Sequence, residues 1–233
     1  MSFSKEWEDI YCQQLQLCKW PWSDLISYVM RYARPKDIRA KILELGFGAG
    51  ANIPFYKSLN ADFYGIEGSE TVVAKVKDAY PEYSKNLICG DFTKEILFDN
   101  KFDIIIDRAS ITHNSTETIK NTIKLIKEKL NKDGKFIGID WFATDHSEFD
   151  KNGELIDNNT KILNNGYFAG VGEVHFSDDK HIKELFNDFK IIKLEHKMCK
   201  DYTQEENRTK NDPMIAQLAT WNFVAELKNK GEY

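Results

Sequence analysis

The chain has 233 residues, 42% of them hydrophobic and 30% charged, and a formal net charge of -5. That length fits one generous domain with a core that needs no disulfide or metal staples, and the composition excludes a disordered chain. Charged clusters alternate in sign, as in Lys127-Glu128-Lys129, which argues against a broad nucleic-acid footprint. In chain order, residues 3–17 and 23–34 are predicted as two helices, parted by Trp20-Pro21-Trp22, with Ser23 as a cap. Residues 41–45 form a short buried strand ending at glycine, 51–59 a helix with Pro54 in its first turn, 62–67 a strand and 70–79 a helix. A brief strand at 87–89 precedes Gly90-Asp91, and 102–107 (Phe-Asp-Ile-Ile-Ile-Asp) has the pattern of a central strand buried on both faces. Residues 118–130 repeat Ile119, Ile123, Ile126 and Leu130 at helical spacing and stop at Lys132-Asp133-Gly134, before a fifth strand at 135–141. Periodicity then lapses over 142–176, as in a lid or binding loop, and returns as a helix at 177–186 capped by Ser177. Strands at 189–196 and 221–227, the second antiparallel at the edge, flank a polar stretch at 199–213. The alternation predicts an α/β fold: a Rossmann-like, seven-stranded, mostly parallel sheet with helices on both faces. Residues 1–39 form a helical cap, and 40–233 the main domain with its lid segment.

Cys12, Cys18, Cys89 and Cys199 form no CxxC pair, so free thiols in a reducing compartment are expected. No apolar run approaches the ~20 residues of a membrane span, and the polar start is unlike a secretory leader. The expectation is a cytoplasmic protein with a small-molecule partner, no metal and an open oligomeric state.

Ile42-Leu43-Glu44-Leu45-Gly46-Phe47-Gly48-Ala49-Gly50 lies where a strand turns into a helix. Missing side chains there let the backbone approach a ligand, and the following helix presents free N–H groups. Gly46, Gly48 and Ala51 also satisfy a permissive G-x-G-x-x-A dinucleotide pattern, and Glu67 at the end of the second strand suits a ribose in either kind of site. Three features separate the two readings. Glu44, two residues before the first glycine, favours a cationic amino-acid ammonium and would repel a pyrophosphate. Gly90-Asp91-Phe92 offers an acceptor beside a flat ring, as adenine needs. The parallel series ends in an aromatic-rich strand around Trp221.

Together these resemble the class I S-adenosylmethionine-dependent methyltransferases, whose first motif reads ExGxGxG. The likeness is good over about residues 40–141 and holds only in outline beyond. It implies S-adenosyl-L-methionine as cofactor, with Gly46, Gly48 and Gly50 along its methionine and ribose portion and Glu44 supporting the turn and the ammonium. It also implies Glu67 on the ribose hydroxyls, flanked by Gly68 and Ser69, with Asp91 and Phe92 at the adenine and Asp107 facing the methionine end. Trp20 to Leu25, Gly65 to Ser69, Asp107 to Asn114 and Gly138 to Phe142 look like bacterial methyltransferases of surface-sugar biosynthesis.

Methyl transfer from a sulfonium mainly requires the nucleophile to be held in line, and a base only where a proton must leave. His113, just past the fourth strand, is the candidate catalytic base; a helix-capping histidine is the plain alternative. Arg108, Asn114, Asp140 and Trp141 are candidates for holding the substrate, with Arg108 equally able to pair with Asp107. His146 and His175 lie in the lid segment, where a capping or surface role competes with closure over substrate. Trp7, Tyr11, Trp20 and Trp22 put aromatic area near the cofactor, for cation–π contact or for docking the helices on the sheet. A nicotinamide-dependent sugar oxidoreductase or epimerase is the second enzyme reading. A catalytically silent methyltransferase-like partner subunit is the third.

Overall fold

A computed structural model describes residues 5–13, 17–33, 39–203 and 216–228. In chain order the elements are α1 (Lys5–Cys12), α2 (Ser23–Tyr28), β1 (Lys41–Leu45), α3 (Ile53–Ser58), β2 (Asp62–Glu67) and α4 (Glu70–Ala79). Next come β3 (Leu87–Cys89), β4 (Phe102–Arg108), α5 (Thr116–Lys129), β5 (Leu130–Phe142), β6 (Gly153–Asp157) and β7 (Thr160–Leu163). The last are β8 (Glu173–His175), α6 (Asp179–Leu185), β9 (Phe189–Lys200) and β10 (Gln217–Leu227).

Seven strands form one sheet in the order β3-β2-β1-β4-β5-β10-β9. Pairings from β3 through β5 are parallel, whereas β10 runs antiparallel to both neighbours. The antiparallel strand expected at this end is β10, with β9 outermost. Chain order reverses between β1 and β4, so a crevice opens at their carboxyl ends, where open α/β sheets bind ligands.

The apolar run of β4 alternates faces as its sequence requires. Ile104 and Ile106 join Ile42, Phe63, Tyr56, Val72 and Val76 in one buried layer, while Ile105 joins Leu43, Phe136, Ile119, Ile123 and Ile126 in the other. Helix α5 buries those isoleucines and is capped by Ser115, whose hydroxyl accepts from the Thr118 N–H. It starts two residues before the expected boundary and ends at Lys129, one residue short of the expected end. Strand β5 begins at once, pairing Leu130 with Phe102 before a register shift.

The segment 142–176 is not aperiodic: β6, β7 and β8 form a three-stranded antiparallel sheet. Phe142, Leu163, Phe168, Val174 and Phe176 make a small core beneath it. Helix α6 is capped by Asp178, which accepts from the His181 N–H at 2.7 Å, rather than by Ser177. The Ser177 hydroxyl accepts instead from Trp141 Nε1 at 3.0 Å and lies within hydrogen-bond distance of His175 and His181.

At the start of the chain, α2 begins at Ser23 itself, so Ser23 is not a cap, and a wide turn of five residues extends it through Ala33. Of the first expected helix, α1 is described; residues 3, 4 and 14–16 lie outside the described residues, as do 34 of the second helix and 204–213 of the polar stretch. Among the described residues no helix is long and apolar enough to cross a membrane.

Candidate active site

The strand β1 delivers Glu44 and the glycine turn to the crevice. Gly46, Gly48 and Gly50 take φ of 67°, 50° and 75°, a left-handed region that side chains enter at a cost. At Gly46 an added Cβ would also overlap the Ser110 hydroxyl, and at Gly48 it would sit 3.0 Å from the Tyr11 oxygen. Gly50 serves packing, since a Cβ there would meet Ile53 at 2.9 Å.

Glu67, at the tip of β2, is buried and ties two turns together. One carboxylate oxygen accepts from the Gly48 N–H at 2.9 Å, the other from the Ser69 N–H at 3.1 Å. Each oxygen keeps a second lone pair, so a diol can still donate to it. Burial raises its pKa, opposed by those backbone bonds. Ser69 itself turns away and caps α4 through Val72.

Glu44 is likewise buried, and both of its oxygens are held from within: Asn52 Nδ2 donates at 2.7 Å and the Tyr56 hydroxyl at 3.1 Å. Burial pushes its pKa up to about 7. Asp107, in register with Leu45 on the neighbouring strand, is pushed to about 7 by the same cause. Asp107 Oδ1 accepts from the Ser110 and Ile111 N–H groups, which fixes the turn after β4.

A cavity of about 630 Å³ runs from Gly90, Asp91, Phe92 and Thr93 past Glu67, Gly68, Gly48, Gly46 and Glu44 to Arg108, His113, Asn114 and Asp140. Trp7, Tyr11 and Trp22 close it from the N-terminal side, and Phe142, Tyr167, Phe168 and Val171 from the lid side. Trp20 is instead exposed. Gly50, Ser69, Asp107, Trp141, His146 and His175 do not line it. Asp91 is itself engaged: Oδ1 accepts from the Thr93 N–H and hydroxyl, and Lys94 pairs with Oδ2 at 3.2 Å.

Arg108 pairs with Asp140 at 2.8 Å, not with Asp107, and its guanidinium lies 3.5 Å above the Trp22 ring. Asp140 has φ of 56°. Its N–H donates to Asn222 Oδ1 at 2.9 Å, where β10 bulges between Trp221 and Phe223. This turn breaks the alternation of β5. Ile137 and Ile139 share one face, but Trp141 goes to the other and is fully buried, which removes it from the cavity wall.

His113 lies among Trp7, Phe142 and Phe168, with ring centroids 5.1, 5.6 and 6.3 Å away. Its Nδ1 is 3.2 Å from the Glu173 carbonyl of β8. A carbonyl only accepts, so Nδ1 carries the proton and Nε2 the lone pair. Burial lowers the imidazole pKa to about 4. Asn114 donates to the Ser110 and Ile111 carbonyls and braces the turn, while keeping a place on the wall. His146 lies behind Phe142 and Phe168, and His175 binds Thr160 and Ser177 in the interior.

Sequence reasoning missed Asn52 and Tyr56 as partners of Glu44, and Ser110, Phe168 and Asn222 as shapers of the site. Ser110 lies within the segment after β4, while Asn52 and Tyr56 come from the start of α3 and its preceding turn, Phe168 from the lid and Asn222 from the bulge in β10. Among the described residues, no cluster of His, Cys, Asp or Glu is placed to hold a metal ion.

Residues 43–138, from β1 into β5, match the family model of a methyltransferase domain. No curated protein matches the chain by sequence. An S-adenosylmethionine-dependent methyltransferase of Methanosarcina mazei is 13% identical with a TM-score of 0.66, covering 90% of this chain and 100% of that one. The 1,6-didemethyltoxoflavin-N1-methyltransferase of Burkholderia thailandensis, crystallised with its acceptor and S-adenosylhomocysteine, is 11% identical with a TM-score of 0.62, over 89% of this chain and 78% of that one. The magnesium protoporphyrin IX methyltransferase of Synechocystis, crystallised with S-adenosylmethionine, is 14% identical with a TM-score of 0.55, over 88% and 77%. At such identities the likeness is one of fold. Residues 43–138 are thus similar to a methyltransferase domain, and the sheet has the Rossmann-like methyltransferase fold of these neighbours.

Proposed function

We propose that this chain transfers a methyl group from S-adenosylmethionine to an oxygen or nitrogen of a small acceptor. The observation that carries the reading is Glu67, buried at the cavity wall, with one oxygen on the Gly48 N–H and the other on the Ser69 N–H. A carboxylate so fixed beside a glycine turn suits a ribose diol. The residues present fit the rest of the cofactor: Asp91 and Phe92 at one end of the cavity for an adenine, and Glu44 beneath the turn for an ammonium. When bound, the cofactor supplies a methyl group on a positively charged sulfur, already activated for displacement.

The protein's part is then to hold the acceptor in line and to exclude water. His113 Nε2 accepts a hydrogen bond from the acceptor and orients it. With its pKa near 4, the ring stays neutral at pH 7 and takes only an acidic proton. The Arg108–Asp140 pair sets the polar rim, Asn114 shapes the wall, and α1 and α2 act as a cap over the cofactor. Asp107, Ser69 and Gly50 act by holding turns rather than by touching ligand. His146, His175 and Trp141 support the lid from within.

The likeness of short segments to surface-sugar methyltransferases makes a sugar precursor one candidate acceptor, in the cytoplasm. Dinucleotide chemistry is disfavoured, because the antiparallel β10 stands where the dinucleotide fold continues in parallel. The decisive experiment incubates the protein with labelled S-adenosylmethionine and a panel of acceptors, and reads methylated product by mass spectrometry. Labelled product with any acceptor supports the reading. Failure to bind the cofactor at all would leave a silent partner subunit as the better description.

A further inference from the structure

We infer that the acceptor is a planar aromatic or heteroaromatic ring carrying an ionisable hydroxyl, and not a polyhydroxyl sugar. The inference rests on the methyltransferase reading above and concerns the far end of the same cavity.

That end is walled by rings and apolar side chains. Trp7, Phe142 and Phe168 surround His113, each with its ring steeply inclined to the imidazole, at interplanar angles of 75°, 83° and 77°. Val171 and Leu218 line the same cavity. Flat apolar walls of this kind reward a flat apolar ligand, through area burial and edge-to-face ring contact.

The polar groups nearest the imidazole are partly committed. His113 Nδ1 is held by the Glu173 carbonyl, leaving one ring nitrogen as an acceptor. The Asn114 amide nitrogen donates to two backbone carbonyls. Arg108 and Asp140 hold each other through one nitrogen and one oxygen, with Trp22 stacked on the guanidinium and Arg108 Nε left without a partner. A hexose would bring several hydroxyls into this space, and each one left without a partner costs about 1–3 kcal/mol. A ring with one hydroxyl needs one acceptor, which His113 Nε2 supplies. An imidazole kept neutral by burial holds such a hydroxyl well but removes a proton only if that hydroxyl is acidic, as on an aromatic ring.

The test uses the full chain saturated with S-adenosylhomocysteine, whose own binding is measured first by calorimetry. Absence of that binding would sink the methyltransferase reading itself. With it in place, xanthurenate and protocatechuate are titrated as planar probes, and glucosamine and glucose 1-phosphate as sugar probes. The planar probes are expected to saturate and raise Tm, and the sugars to do neither. Phe168→Ala should weaken planar binding at least tenfold with S-adenosylhomocysteine affinity retained. Phe168→Leu, which keeps apolar volume but loses the flat face, should weaken it in the same direction should the alanine variant fail to fold. Equal binding of both classes, sugar binding alone, no binding of any probe, or indifference to a folded Phe168 variant would each overturn the inference.

Discussion

At the scale of single residues, Glu44 and His113 line the cavity and Asp107 lies behind its wall, and burial pushes the two carboxyls and the imidazole in opposite directions. Glu44 and Asp107, on adjacent strands, are both held near 7 by burial. A carboxyl with a raised pKa is charged only above that value, so attraction for an amino-acid ammonium should grow as pH rises through 7. S-adenosylhomocysteine affinity is therefore expected to strengthen between pH 6 and pH 8. Glu44→Gln should flatten that rise by removing the charge while preserving an acceptor for Asn52 or Tyr56. A rise of the same size in the variant would contradict the role of Glu44. His113 goes the other way. Its imidazole is expected to remain neutral from pH 8 to pH 5.5, so the ring proton shifts seen by NMR should be flat over that range. A titration centred near the ordinary histidine value of ~6.5 would show that the ring is far wetter than its surroundings imply.

At the scale of elements, one hydroxyl links the three-stranded sheet to the main sheet. Ser177 joins β5 to the three-stranded lid sheet and α6, receiving Trp141 Nε1 and facing His175 and His181. Ser177→Ala would leave the buried Trp141 N–H and a His175 nitrogen without that partner, at about 2–4 kcal/mol in all. A fall in Tm of roughly 5–10 °C is expected. An unchanged Tm would mean that another acceptor replaces the hydroxyl. This network also marks where sequence legibility ends. The glycine turn and β1 to β4 could be placed from sequence because left-handed glycines and short β-branched runs impose local geometry. The lid strands, three to five residues each, present no such pattern and form by pairing with one another. Trp141 was assigned to the ligand edge by its position in β5. The left-handed turn at Asp140, held by the distant Asn222, sends it to the opposite core.

For the whole molecule, one sheet order brings the glycine turn, Glu67 and the turn after β4 to a single crevice, and the N-terminal helices and lid close over it. Much of this was legible: the strand series and the placement of Glu67, Asp91, Phe92 and His113 along one cavity follow from motifs in order along the chain. The ring-walled acceptor end was not, because Trp7, Phe142 and Phe168 come from three separated segments. The central claim is that this crevice takes an adenosyl amino acid and not a dinucleotide. Calorimetric titration of the full chain with S-adenosylhomocysteine and, separately, with NADH tests it most directly. Saturable one-to-one heat with S-adenosylhomocysteine, lost in Glu67→Ala, and none with NADH is the expected result. Saturation by NADH with no heat from S-adenosylhomocysteine would contradict the account.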